Sequence, residues 1–323
     1  MRRLRIVILA LLATGVASAP AHGASMVFVK KNDVWISKAN GKSQKRVTKD
    51  GTRGRPYYSP SIADNGTIVA LRGINLHSFR PSGRRIIKPR QWAIVGSSLS
   101  TEPFTVDLSP NGRVVATDNA LYGTYYDPRT NRTRPDRVAL FVDFIDFRTN
   151  KSKGETDGYY DYGSPSWLGR KRVLTTSYGI FNAQVLVNRV GNKTRGADFY
   201  RDPARDPATQ TNAIEMADVE MTRNGRMFAV ERRPLQGANS LRDGTIQIYR
   251  TGSPSTASTP ICKIGPGRRI DRAPDPSWSP DGKRLYWHEL GRGIFSTRVT
   301  SAPGCGLKPK RIVRGGLSPD LSR

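Results

Sequence analysis

The sequence predicts an all-β chain folded as a six-bladed β-propeller, and three observations carry that reading. A strand–turn–strand unit recurs over residues 60–69, 106–115, 165–174, 219–228 and 276–287. Its turn glycines, Gly66, Gly112, Gly169, Gly225 and Gly282, recur at a spacing of roughly 50 residues, as in an array of supersecondary units sharing one core. Finally, the two ends look like halves of one more unit. Met26-Val-Phe-Val29 reads as a second strand with no first strand before it, and Leu317-Ser-Pro-Asp320 reads as a first strand with nothing after it. A ring in which the tail completes the first blade accounts for both, and closure leaves no long sheet edge exposed.

Each strand of the unit has its own signature. Strand A carries one large apolar residue at a fixed place: Ile62, Leu108, Trp167, Met221 or Trp278. An Asn-Gly or Asp-Gly turn follows in most copies, which is strong hairpin chemistry. Strand B is a brief β-branched or aromatic run, such as Val114-Val-Ala116 or Leu285-Tyr-Trp287. Strand C alternates with period two, as in Asp33–Ser37, Ala139–Asp143 and Thr245–Tyr249. After a second turn (Asn40-Gly41, Ser82-Gly83, Gly191-Asn192), strand D is short and basic, as in Arg84–Ile87 and Lys310–Val313; blades three and four show only weak D strands.

Residues 1–24 read as a secretory leader. Arg2, Arg3 and Arg5 precede an apolar run over Ile6–Ala13 and a small-residue exit over Ala17–Ala24, a stretch too short to span a bilayer. Cleavage after Gly23 or Ala24 suits the sequence better than after Ala19, because Pro20 follows the latter. Residues 25–323 are then the propeller, and a secreted, periplasmic or cell-envelope location is expected. No later apolar run reaches transmembrane length. In an oxidising compartment the two cysteines, Cys262 and Cys305, are expected to form a disulfide across adjacent blades.

The repeats also carry a resemblance. Trp278-Ser-Pro-Asp-Gly-Lys283, and the stretch Asp33-Val-Trp-Ile36, Ala39-Asn-Gly41, Arg46-Val-Thr48, resemble the propeller repeats of the TolB-like family, also called WD40-like or PD40 repeats. The resemblance covers roughly residues 25–323. It implies a propeller at the cell envelope that docks other proteins, here beginning directly after the leader without that family's N-terminal α/β domain. Propellers host enzymes, scaffolds and ligand binders alike, so the resemblance bears on fold more than on activity.

A formal net charge of +27 speaks of partners rather than fold. It fits attraction to an envelope protein's acidic surface or to an anionic polymer such as a glycan, a teichoic-type polymer or lipid headgroups. It equally fits a solvated basic surface enriched by coding bias. Nucleic acid suits the charge but not the leader. Four long connections, residues 88–103, 118–137, 195–216 and 232–244, all open on the face of the D-to-A and B-to-C links, and connections of this length are usually functional or disordered. Tyr125, Tyr126, Arg129, Arg132, Arg134, Tyr160, Tyr200 and Arg201 are the binding candidates there, because arginine forks suit oxyanions and tyrosine rings suit sugars or bases.

Catalytic signatures are sparse. Only His77 and His288 lie beyond the leader, in different blades, and both read as strand residues. No nucleophile elbow, phosphate-cradling loop or zinc helix is legible, and no cofactor or metal is expected. Asp107 and Glu220 sit one residue before the large apolar position of strand A, where the other copies carry Ser61, Ser166 and Ser277. If strand A lines the channel, the two carboxylates could hold a cation, do acid–base work, or hydrogen-bond neighbouring backbone. The sequence therefore leans to a non-catalytic binding module, with a propeller hydrolase or lyase on an anionic polysaccharide as the rival.

Overall fold

The computed structural model describes residues 24–91, 100–127, 131–156, 162–177, 184–191, 196–201, 214–234, 244–251, 260–265, 275–300 and 305–322. Six antiparallel four-stranded sheets form the six blades. Blade one holds β1 (Ser25–Lys30), β2 (Asp33–Lys38) and β3 (Lys45–Arg46); blade two holds β4 (Tyr58–Ile62), β5 (Ile68–Arg72), β6 (Asn75–Phe79) and β7 (Arg90–Gln91). Blade three is β8 (Ser100–Leu108), β9 (Val114–Asp127), β10 (Arg132–Asp146) and β11 (Ser152–Glu155). Blade four is β12 (Tyr162–Leu168), β13 (Arg172–Ser177), β14 (Gln184–Arg189) and β15 (Ala197–Arg201). Blade five is β16 (Ile214–Met221), β17 (Met227–Pro234), β18 (Thr245–Arg250) and β19 (Cys262–Ile264). Blade six is β20 (Ser277–Trp278), β21 (Arg284–Glu289), β22 (Gly293–Arg298) and β23 (Lys310–Val313), and the last strand, β24 (Gly316–Leu321), returns to blade one in the order β24-β1-β2-β3.

The tail closes the ring, but in a different register from the one the sequence suggests. Leu321 lies opposite Met26 and Asp320 opposite Val27. Leu321 is fully buried and fills the place of the large apolar residue, whereas Leu317 is 38% exposed. The equivalent of Ser318-Pro-Asp-Leu321 is thus Asp275-Pro-Ser-Trp278, not the Ser-Pro-Asp-Gly turn that follows Trp278.

The A–B turns form as their chemistry demands. Gly66, Gly112, Gly169, Gly225 and Gly282 all have φ between +66° and +75°, a region that glycine enters at little cost. In three of the turns a side chain organises the backbone in one way: Asn111, Asn224 and Asp281 accept from the hydroxyl two residues before and from the N–H two residues after.

Between each pair of neighbouring blades lies one apolar cluster, and six such clusters run round the ring. Trp278, Trp287 and Phe295 pack on Ile246, Ile248 and Cys262 between blades five and six. Met26 and Phe28 pack on Tyr286, Ile294, Val313 and Leu321 at the seam between blades six and one. The large strand-A residues, from Ile62 to Trp278, are all buried in these layers.

Three expectations are corrected. Residues 118–127 and 132–137 are strand rather than loop: β9 and β10 run on as a hairpin whose register extends to Arg132 opposite Asp127, and β8 joins it from Ser100 opposite Tyr122. In blade two Arg84–Ile87 touches β6 only through an isolated bridge of Arg85 to Phe79 and the Ile86 N bond to the Ser78 carbonyl, and the D strand proper is Arg90–Gln91. Blades three and four do have D strands, β11 and β15, and β15 turns part of the 195–216 connection into sheet.

Candidate functional site

Around the axis, strand A contributes the same short segment from every blade. In order these are Ser59–Ile62, Thr105–Leu108, Ser164–Trp167, Asp218–Met221, Asp275–Trp278 and Ser318–Leu321; the first two residues of each line the axial cavity, and so does the third in all but Ser164–Trp167. Ser59, Ser164, Asp218, Asp275 and Ser318 sit at φ of +43° to +48°. In five of the segments the strand register slips at or next to this point, so a bulge interrupts strand A beside the axis.

The third position of the segment alternates around the ring: Ser61, Asp107, Ser166, Glu220, Ser277, Asp320. Each acid accepts from the serine of the blade before it: Ser61 Oγ donates to Asp107 at 3.0 Å, Ser166 Oγ to Glu220, and Ser277 Oγ to Asp320 at 3.3 Å. Asp107 also accepts from Trp167 N at 3.1 Å, and Asp320 from Ile62 N at 2.8 Å. Buried charge-assisted bonds of this kind are among the stronger hydrogen bonds in proteins. The carboxylates therefore act as staples between blades, a use the sequence offered for Asp107 and Glu220. Asp320 belongs to the same ring and was missed; aligning Ser318-Pro-Asp-Leu321 on Asp275-Pro-Ser-Trp278 would have revealed it.

One ring further along the axis the cavity becomes acidic. Asp218 accepts from Ser164 Oγ at 2.8 Å and from Asp275 N at 3.3 Å. Burial, with Asp275 beside it, holds the Asp218 carboxyl well above the usual range. Behind it Glu231 meets Arg233 at 2.6 Å, yet burial and the neighbouring Asp218 push its pKa up to about 8. Burial likewise raises Asp118, which accepts from Thr105 and Ser164. His288 Nδ1 lies 3.5 Å from Asp275 and accepts from Ser318 N at 3.3 Å. At the far end of the cavity Arg223 of blade five reaches Asp64 of blade two at 3.1 Å, bridging opposite sides of the ring. Among the described residues no group of three or more His, Cys, Asp or Glu is arranged to hold a metal ion.

Two of the loop-face candidates lie on β15. Tyr200 lies on β15, is 4% exposed, and packs with Phe228 and Tyr249, donating its hydroxyl to Tyr249 at 3.1 Å. It is a core residue, because β15 brings it into the layer between blades four and five. Arg201, at the end of that strand, is tied to Asp198 at 3.0 Å. Tyr125, Tyr126, Arg132 and Arg134 lie on the extended hairpin, with Arg134 opposite Tyr125 and Thr133 opposite Tyr126. Arg129 and Tyr160 fall outside the described residues. His77 lies against Tyr57, and burial together with Arg85 and Arg72 lowers its pKa to about 4.

One buried carboxyl makes a pH test. Asp143 on β10 is 1% exposed, accepts from Asn119 Nδ2 at 3.1 Å on one oxygen, and among the described residues has no hydrogen-bond partner on the other. Burial, aided by Glu155, raises its pKa to about 8. The folded state thus keeps a proton that the unfolded chain releases, so stability is fullest below the carboxylate's ordinary pKa and falls as pH rises toward 8. His77 acts with the opposite sign only below its ordinary value of 6.5. Thermal melts are therefore expected to drop between about pH 6.5 and 8. Asp143→Asn should flatten that decline and gain about 1–3 kcal/mol at the upper end; an unchanged slope would contradict the assignment.

No protein-family model matches the sequence, and no curated protein sequence matches it. Solved structures do. TolB from Acinetobacter baumannii aligns with a TM-score of 0.56 and 15% identity over 93% of this chain and 66% of TolB. A candidate 6-phosphogluconolactonase from Bacteroides fragilis aligns with a TM-score of 0.54 and 10% identity over 94% of this chain and 99% of that one. The likeness is one of fold: this chain has the TolB-type β-propeller, with six blades, and spans somewhat less than two thirds of TolB's own length.

Proposed function

We propose that this chain is an exported, non-catalytic propeller that binds an anionic polymer of the cell envelope. The observation that carries the reading is the extension of blade three. Its β9 strand has 14 residues where β5, β13 and β21 have 5 or 6, so the hairpin runs roughly 25 Å past its neighbours at the usual rise per residue. Its register sets Arg134 opposite Tyr125 and Arg137 opposite Tyr122. That pairing of fork-shaped cations with flat rings suits a sugar chain bearing carboxylate, sulfate or phosphate. The engagement of Asp107, Glu220 and Asp320 as staples favours binding over acid–base chemistry in the channel. The positive leader of residues 1–24 supports export, and among the described residues no helix is long and apolar enough to cross a membrane.

The test is salt-gradient elution from an immobilised polyanion such as heparin or a teichoic-type polymer. Replacing Arg132, Arg134 and Arg137 together by alanine is expected to weaken retention about tenfold at low salt, with an unchanged circular dichroism melt. Equal retention by the triple variant would dispose of the hairpin as the binding element.

A further inference from the structure

We infer that the seam between blades six and one is a second binding site, built for an oxyanion with two or more negative charges. A groove of about 840 Å³ opens there, lined by Lys38 and Lys42 from blade one and by Arg284, Lys310 and Arg311 from blade six, a size in the range of small-ligand sites. Among the described residues none of the five cations is paired with a carboxylate. Exposed lysines and arginines are ordinarily a solvated face, so the charge alone decides nothing. The floor of the groove decides it.

Tyr286 lines that floor and is 2% exposed, yet among the described residues its hydroxyl has no hydrogen-bond partner. It lines the foot of a positive groove, where a hydroxyl without a protein partner can donate to an anion. Burial raises its pKa to about 12, so at neutral pH it is a donor. Ser296 lies opposite both Tyr286 on β21 and Lys310 on β23, placing hydroxyl, hydroxyl and ammonium in one row across the sheet. Arg284 is steadied by its bond to Ser296 Oγ at 3.4 Å.

The opposite wall is fixed by close approach. Gly41, at φ +77°, stands so near β23 that an added Cβ would lie 2.4 Å from the Ile312 carbonyl oxygen. The turn around it is closed by Lys38 N donating to Lys42 O and Lys42 N to Asn40 Oδ1, each at 3.0 Å. The groove is therefore a preformed set of donors, and among the described residues no carboxylate competes for its five cations. Phosphoryl or sulfate groups match it, whether on a soluble or polymeric anion or on a lipid headgroup.

Calorimetric titration of the purified chain with inorganic tripolyphosphate at low salt tests the site. Binding is expected, weakened about tenfold or more by Lys42→Ala with Arg311→Ala. Tyr286→Phe keeps every charge and should weaken it about fivefold, with an unchanged melt. The Arg132, Arg134 and Arg137 variant should bind tripolyphosphate as the parent does, which separates this site from the hairpin. In a parallel arm, variant-sensitive co-sedimentation with phosphatidic acid vesicles assigns a headgroup, and tripolyphosphate binding without co-sedimentation assigns a soluble or polymeric anion. Absence of binding in both arms, or binding indifferent to the seam substitutions, overturns the inference.

Discussion

Deleting residues 315–323 is expected to abolish the cooperative thermal transition or to lower its midpoint by more than about 10 °C, equivalent to several kcal/mol out of a total of about 5–15. The segment is the channel-side strand of blade one, paired to β1 from Met26–Leu321 to Lys30–Gly316. Its loss uncovers Met26 and Phe28, which pack at the seam with Leu321. It also removes four ties to other blades: Ile62 N to Asp320, Ser277 Oγ to Asp320, Leu321 N to Ser277 Oγ, and Ser318 N to His288. A milder variant guards against simple failure to fold. Asp320→Ala keeps the strand and should cost about 2–3 kcal/mol through the N–H and hydroxyl it leaves without an acceptor. A deletion protein that melts like the parent would show that the ring does not depend on its tail.

Much of this architecture was legible because it rests on local chemistry. The A–B turns need a left-handed residue, so glycine marks them in every copy, and the large strand-A residues mark the interblade layers. Closure was legible from the unmatched ends, while its register was not. Ser-Pro-Asp occurs twice with different roles: Ser279–Asp281 makes a turn, whereas Ser318–Asp320 lines the channel. Only burial, with Leu321 inside and Leu317 out, separates them.

The candidate sites were legible in smaller measure, because they depend on what lies across the ring. Asp107 and Glu220 could be placed near the axis from their position in strand A, but their serine partners come from other blades. Tyr200 looked like a loop residue because its strand is short and charged at its ends; the Tyr249 and Phe228 rings that bury it belong to blade five. The basic seam draws Lys38 and Lys42 from one end of the chain and Lys310 and Arg311 from the other. No window of sequence contains it, and it exists only once the ring is shut.

The joined cysteines give the second large effect. Cys262 on β19 is bonded to Cys305 in blade six, with 5.7 Å between Cα atoms and a sequence separation of 43. In the chain-entropy view, cross-linking a loop of that length stabilises the fold by about 4 kcal/mol. Both sulfurs are buried beside Trp278, Trp287 and Phe295, so two serines in their place would also bury hydroxyls among apolar neighbours. The paired Cys262→Ala and Cys305→Ala variant isolates the covalent term. It is expected to lose about 3–4 kcal/mol in denaturant titration, and reduction of the parent under mild denaturation should reproduce most of that loss. The effect should be felt at the seam as well, because Cys305 lies just before β23, which forms one wall of the basic groove and packs against Gly41 of blade one. Reduced protein should therefore bind tripolyphosphate more weakly than oxidised protein under conditions where both remain folded. A reduced protein with the parent's stability would show that the packing of blades five and six holds without the bond.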